Sequence, residues 1–306
     1  MGMVLLKAGS LILIIVLGYV LKKTILKGTG AARVVQKIIM TVTLPAAVIT
    51  GFSNFTEVGY AAVLILMGLG CNVLMSTIGL LLAWHKGGAQ KAFNTLNFSG
   101  YSIGAFTMPY IQSIMGNSGI GILCMFDLGN GIMCTGMTYA IASRFSENAQ
   151  KQTLGDFVKK MFTSVPFCTS ILMLFLVITG LRLPDEVYTF IQPLSNANPF
   201  LAMLMMGLLF ECNLGRKKVK YTVLLLVVRY ACSTALAALF YFCLPLPLEV
   251  RQITALAVFS PISVMATLFT GNCGGDQTWS GVVNSLSIPI SVTCITVLML
   301  LMHMGI

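Results

Sequence analysis

Charge is scarce in this chain of 306 residues: 9% are charged and nine are acidic, where soluble domains carry roughly a quarter charged residues. Histidine is scarcer, at two, and both (His85, His303) sit at the ends of apolar stretches, which leaves no central Ser–His pair or His metal site. Cysteine is present nine times but without paired CxxC spacing, so neither a zinc site nor a disulfide framework is expected. Those cysteines read as small apolar packing residues and the 19 methionines as filler. Long polar segments are missing as well, so there is no room for a soluble domain. What remains is 57% apolar residue and a mean hydropathy of +0.90, more than a water-soluble globule can bury. The composition excludes a cytosolic enzyme, a nucleic-acid binder and a secreted scaffold, and implies an all-α integral membrane protein.

A membrane helix needs about 20 mostly apolar residues. Such stretches run over about 3–21, 38–54, 59–84, 92–115, 118–143, 160–181, 191–211, 221–244, 249–271 and 278–303, ten in all. The first has Lys7 before it and Lys22 and Lys23 after it, with no small-residue cleavage site, and reads as a retained helix. Fifteen of the nineteen basic residues fall in the loops after spans 1, 3, 5 and 7. By the positive-inside rule those loops are cytoplasmic and both termini extracytoplasmic, in a multi-pass protein of the cell membrane. The net charge of +10 is thus an orientation signal, and nucleic acid is not an expected partner.

Polar and helix-breaking residues recur at a nearly fixed offset. Pro45 and Pro199 are 154 residues apart, as are Asn130 and Asn284; Pro109 and Pro261 are 152 apart, and Gly116–Asn117 and Gly271–Asn272 are 155 apart. This implies a duplication, residues 1–148 and 149–306, each with five spans. An odd number of spans per half forces opposite orientations, the inverted-repeat logic of secondary transporters, whose substrate lies where corresponding helices are interrupted. Spans 4 and 9 are that pair. Span 4 reads Phe98-Ser99-Gly100-Tyr101-Ser102-Ile103-Gly104-Ala105-Phe106-Thr107-Met108-Pro109, and span 9 reads Phe259-Ser260-Pro261-Ile262-Ser263-Val264-Met265-Ala266-Thr267. Proline removes a backbone donor, and freed carbonyls in a membrane are tolerated only beside protein or a water-filled cavity. Pro109 and Pro261 are therefore expected to break both helices at matching depth. The expected substrate-binding residues are Ser99, Ser102, Gly104, Thr107, Pro109, Asn130, Ser260, Pro261, Ser263 and Asn284.

Several stretches carry a family resemblance: Thr43-Leu44-Pro45-Ala46, Pro109 with Gly116, Asp127-Leu128-Gly129-Asn130, Gly207-Leu208-Leu209-Phe210-Glu211, and Pro261 with Pro289. The chain resembles, over nearly its whole length, the auxin efflux carrier family of bacterial permeases and PIN-type carriers. The resemblance implies ten helices in two inverted repeats, with helices 4 and 9 crossing at the midplane. It also implies a scaffold of helices 1, 2, 6 and 7, a transport part of helices 3–5 and 8–10, and a homodimer. Ser102 stands where many members have Asn, Thr107 where they have Gly, and Met265 where a polar residue is frequent, so auxin itself is not carried over as substrate.

Ionisable residues inside a span call for a functional reading. Asp127 lies about 12 Å deep at 1.5 Å per residue, with Asn130 one turn on, and reads as a proton or cation site, a substrate contact or a structural hydrogen bond. Arg229 in span 8 suits a carboxylate, or else snorkels or pairs with Glu211. Asn72 is a cavity donor or a link between helices. The expected function is a secondary permease for a small organic acid, with possible H⁺ or Na⁺ coupling and no cofactor or metal. A Na⁺-coupled bile-acid-type symporter and a transporter-like membrane sensor are the alternatives. No catalytic residues are expected, since paired intramembrane acids are lacking.

Overall fold

A computed structural model describes residues 2–53, 55, 58–146, 149, 153–212 and 215–304. These residues form helices α1 (Gly2–Lys23), α2 (Ala31–Gly51), α3 (Val58–Leu82), α4 (Gly88–Phe98), α5 (Met108–Met115), α6 (Ile120–Phe145), α7 (Leu154–Thr163), α8 (Val165–Ile178), α9 (Asp185–Leu209), α10 (Arg216–Cys243), α11 (Leu248–Ala257), α12 (Val264–Asn272) and α13 (Gln277–Leu301). Among the described residues there is no strand, only an isolated antiparallel bridge between Tyr101 and Ile262. The protein is all-α and membrane-embedded. Six helices (α1, α2, α3, α6, α10 and α13) are long and apolar enough to cross a bilayer, and α7 with α8, bent by 75°, make a seventh if counted as one span. Large apolar side chains such as Leu6, Phe190 and Phe242 project outward, which suits hydrocarbon rather than water.

The apolar stretch at 160–181 is thus two helices, not one. Ser164 has an extended backbone and Pro166 opens α8, so the proline restarts a helix that its missing N–H cannot continue. Helix α7 begins with a capping box in which Thr153 and Asp156 bond each other's backbone. Helix α9 is as long as α13 but opens on Asp185 and Glu186 and carries Ser195, Asn196 and Asn198 inside. Ser195 and Asn198 are buried: Ser195 Oγ lies 2.7 Å from Thr50 Oγ1 and accepts from Gln112 Nε2 at 2.9 Å, while Thr43 donates to Asn198 Oδ1 at 3.1 Å.

Two helix pairs are clasped backbone to backbone through a glycine on each helix. A methyl group on Gly18 of α1 would lie 2.3 Å from the Leu204 carbonyl of α9, and one on Gly207 of α9 would lie 2.0 Å from the Ile15 carbonyl. Gly68 of α3 and Gly129 of α6 are clasped likewise, at 2.0 Å from Phe126 O and 1.9 Å from Ile65 O. Small residues that admit such approach are how helices associate without a hydrophobic drive between them. At one end of the first clasp, Lys22 donates to Phe210 O at 2.8 Å and to Glu211 Oε1 at 2.7 Å.

Spans 4 and 9 are each interrupted. Helices α4 and α5 are separated by Ser99–Ser102 and a π turn, Ile103–Thr107, and α11 and α12 by 258–263. Further π turns interrupt α2 at Ile39–Thr43 and α6 at Met133–Met137. Such turns cluster at functional sites, and all three here contribute residues to one cavity, described next.

Candidate functional site: a crossing of two broken helices

Each break begins in the same way, Phe98-Ser99-Gly100-Tyr101-Ser102 and Phe259-Ser260-Pro261-Ile262-Ser263, 161 residues apart. The breaks lie antiparallel, and their backbone bonds are related by twofold symmetry. The Ser102 N–H donates to Pro261 O at 2.9 Å, and the Ser263 N–H donates to Gly100 O at 3.3 Å. Gly100 has φ +78°, a conformation that glycine adopts without penalty; its counterpart Pro261 ends a helix by lacking a donor.

The groups that the breaks free are satisfied by side chains from neighbouring helices. Asn130 of α6 grips Tyr101 at both ends, donating to its carbonyl at 2.8 Å and accepting from its N–H at 3.1 Å. The same Oδ1 accepts from Asn72 Nδ2 at 3.0 Å, while Asn72 Oδ1 accepts the Gly100 N–H at 2.8 Å. On the other side Asn284 of α13 donates to Ile262 O at 2.5 Å, and Ser287 accepts the Ile262 N–H at 3.0 Å. Arg229, completely buried, donates to Phe98 O and to the carbonyls of Gly100 (3.0 Å) and Ser260 (3.4 Å). Its guanidinium lies 5.1 Å from the Tyr101 ring centroid. A fan of planar donors facing several carbonyls is what a buried arginine satisfies best.

These contacts decide between readings that the sequence left open. Arg229 turns inward onto backbone, and Glu211 pairs with Lys22 instead. Asn72 is a link between helices rather than a cavity donor. The matched-proline expectation needs correction: only Pro261 lies in a break. Pro109 lies seven residues after Ser102, past the π turn and within backbone that is already helical from Ile103 onward. The break in span 4 is made by Gly100.

Beside the crossing lies a cavity of about 180 Å³. The first break and the turn after it contribute Tyr101 to Ala105 and Met108; α6 contributes Asp127, Leu128, Asn130, Gly131, Cys134 and Thr135; the second break contributes Ser263, Val264 and Met265. Helix α2 supplies Gln36, Met40, Leu44 and Val48, and α8 with the residue before it supplies Ser164, Pro166, Phe167 and Ser170. Of the expected site residues, Ser102, Gly104, Asn130, Ser263 and Asp127 line this cavity. Asn284 borders a second one, of about 390 Å³, with Glu211 and Thr267. Ser99, Thr107 and Ser260 are sealed: Ser99 donates to Thr95 O at 2.9 Å, and the hydroxyls of Thr107 and Ser260 lie 2.5 Å apart across the crossing.

Asp127 is half-buried and accepts from Asn130 Nδ2 at 2.7 Å. Gly104 packs on it, with the position of an added methyl 3.2 Å from Oδ2. Ser263 caps α12 by accepting from the Met265 N–H at 3.4 Å. Sequence reasoning missed Gly100, Tyr101, Ser287 and Cys134; the repeated Phe-Ser-x-x-Ser was the available signal for the first two. Among the described residues no group of three or more His, Cys, Asp or Glu is placed to hold a metal. No protein-family model matches the chain, and no curated protein matches it.

Proposed function

We propose that the chain is a secondary transporter, a permease for a small organic acid, with its substrate at the crossing of the two broken helices and access alternating between the two sides. The observation that carries this is the cavity set against paired, symmetry-related breaks. Interrupted membrane helices are expensive, and their use in transporters is to aim helix ends at a substrate near the midplane. The first turn of α12 and the turn after Ser102 both open on the cavity, and such N-terminal turns favour a carboxylate.

In this reading the chain has ten membrane helices in two inverted repeats, 1–148 and 149–306, counting α4–α5 and α11–α12 as one span each. The helix pairings support it. Helix α1 packs on α9 and α2 on α8, and α3 packs on α4 as α10 does on α11, each a pair of equivalents under exchange of the halves. Resemblance to the auxin efflux carrier family adds the scaffold and transport parts and a homodimer in the cell membrane, both termini outside. Na⁺ on carbonyls of the breaks is disfavoured, because the carbonyls of Phe98, Gly100, Tyr101, Ser260, Pro261 and Ile262 already accept hydrogen bonds. The test is isotope uptake into proteoliposomes for a panel of organic acids, with and without Na⁺. Saturable uptake without Na⁺ is expected; binding without uptake across the panel would turn the reading to a membrane sensor.

A further inference from the structure

The cavity contains a carboxylate and no cation of its own. None of its lining residues is Lys, Arg or His, and the ion pairs among the described residues, Lys22–Glu211 and Lys218–Asp276, do not involve Asp127. The buried Arg229 is directed onto backbone carbonyls and does not line the cavity. An uncompensated carboxylate at membrane depth is costly, and the hydrogen bonds it accepts, from the Asn130 amide and the Gly104 backbone N–H, leave its charge in place. A proton or a cation that enters the cavity neutralises it.

A bare metal ion needs a shell of oxygens, and the carbonyls nearest the cavity are engaged. An ammonium group has three hydrogens to donate and asks for fewer acceptors. Asp127, with the hydroxyls of Ser102 and Thr135 on the same cavity wall, offers that set. Volume sets the scale: a dry cavity near 150 Å³ admits benzene, so about 180 Å³ suits a molecule of roughly six to nine heavy atoms. We propose that the transported organic acid also carries an ammonium group, seated on Asp127, so that the cargo is a small zwitterion such as an amino acid. This rests on the transport reading for the acid half only; the ammonium half rests on the cavity.

Cys134 gives a built-in reporter, since it lines the same cavity and donates to Asn130 Oδ1 at 3.2 Å. Alkylation of Cys134 by N-ethylmaleimide in the purified full-length protein is followed by mass spectrometry, with Cys134→Ser identifying the reporter peptide. The probes are matched triplets: 4-aminobutyrate, butyrate and propylamine; leucine, 4-methylpentanoate and isoamylamine; serine, 3-hydroxypropionate and ethanolamine. In at least one triplet the amine-bearing members are expected to protect Cys134 at concentrations 10-fold or more below the deaminated acid. Asp127→Asn should weaken that protection about 10- to 100-fold, as for loss of a charged hydrogen bond, and Asp127→Glu should retain part of it. Unchanged thermal unfolding of Asp127→Asn separates lost binding from lost fold. Equal or better protection by the deaminated acids, a gap that survives in Asp127→Asn, protection by NaCl alone, or no protection by any amine each overturns the proposal. Uptake of deaminated acids would sink the ammonium subsite and leave the transporter standing; amine protection without uptake would do the reverse.

Discussion

The two breaks do the same job by different means. The first turns at Gly100, which takes up a left-handed conformation, and the second at Pro261, which withholds a donor. Their bracing differs too. One amide, Asn130, holds both backbone groups of Tyr101, whereas the groups of Ile262 are divided between Asn284 and Ser287. The chemistry differs most. Asn130 and Asn284 are 154 residues apart, and at that spacing Asp127 corresponds to Gly281. The counterpart of Asp127 is thus a glycine, and the carboxylate nearest that position, Glu211, is paired with Lys22. On the proposed reading, selectivity belongs to the side that carries Asp127.

That comparison yields graded expectations. Arg229 serves both breaks, so Arg229→Leu should cost the most, about 3–5 kcal/mol, because several buried carbonyls lose their donor together. Thermal unfolding in detergent reads it, and an unchanged midpoint would mean that the crossing does not depend on the guanidinium. Next comes Asn130→Ala at about 2–4 kcal/mol against about 1–2 kcal/mol for Asn284→Ala, from the number of partners each abandons; equal costs would erase the asymmetry in bracing. Gly100→Ala should cost about 1–2 kcal/mol for its left-handed backbone, with its added methyl 3.2 Å from both Cys134 Sγ and Ser263 Cβ. Of the prolines, Pro261→Ala should lower uptake more than Pro109→Ala, because Pro261 lies in a break and Pro109 in helical backbone past one. Equal loss of uptake in the two would restore Pro109 to the break.

The smallest effect lies outside the spans. The Lys218 ammonium and the Trp279 N–H hold the Asp276 carboxyl below the usual carboxylate range. A depressed folded-state value stabilises at neutral pH and loses its contribution as pH falls through the carboxylate range. Since both side chains are partly exposed, Lys218→Gln should cost no more than about 1 kcal/mol at pH 7 and flatten the acid limb of a stability profile. A parallel profile in the variant would show the pair to be inert.

Hydropathy made the long helices legible, because a bilayer imposes length and apolarity on every span. It misplaced their interruptions for a physical reason. Ser164 is a single polar residue between Met161-Phe162-Thr163 and Val165-Pro166-Phe167, too slight a change to interrupt a hydropathy window, and π turns such as Met133–Met137 leave no compositional trace. The site was half legible. Asn130, Asp127, Ser102 and Ser263 stand out as polar residues in apolar surroundings, and the cavity gathers them. Pro109 misled, since the break in its span lies upstream, at the left-handed Gly100. Whether Arg229 faced a ligand or the backbone depended on the carbonyls of Phe98 and Ser260, which only the folded chain brings within its reach.

The glycine contacts have a mechanical consequence. Helices whose backbones touch can neither slide nor roll without driving an oxygen into a neighbouring Cα, so α1 with α9 and α3 with α6 each move as a single lever. The first lever belongs to the proposed scaffold and the second to the proposed transport part. Beside the cavity, a methyl added to Gly104 would lie 3.1 Å from Leu44 Cδ2, a yielding side chain rather than a wall of backbone. Slippage is thus cheapest along that seam, and the cavity sits where the two levers part.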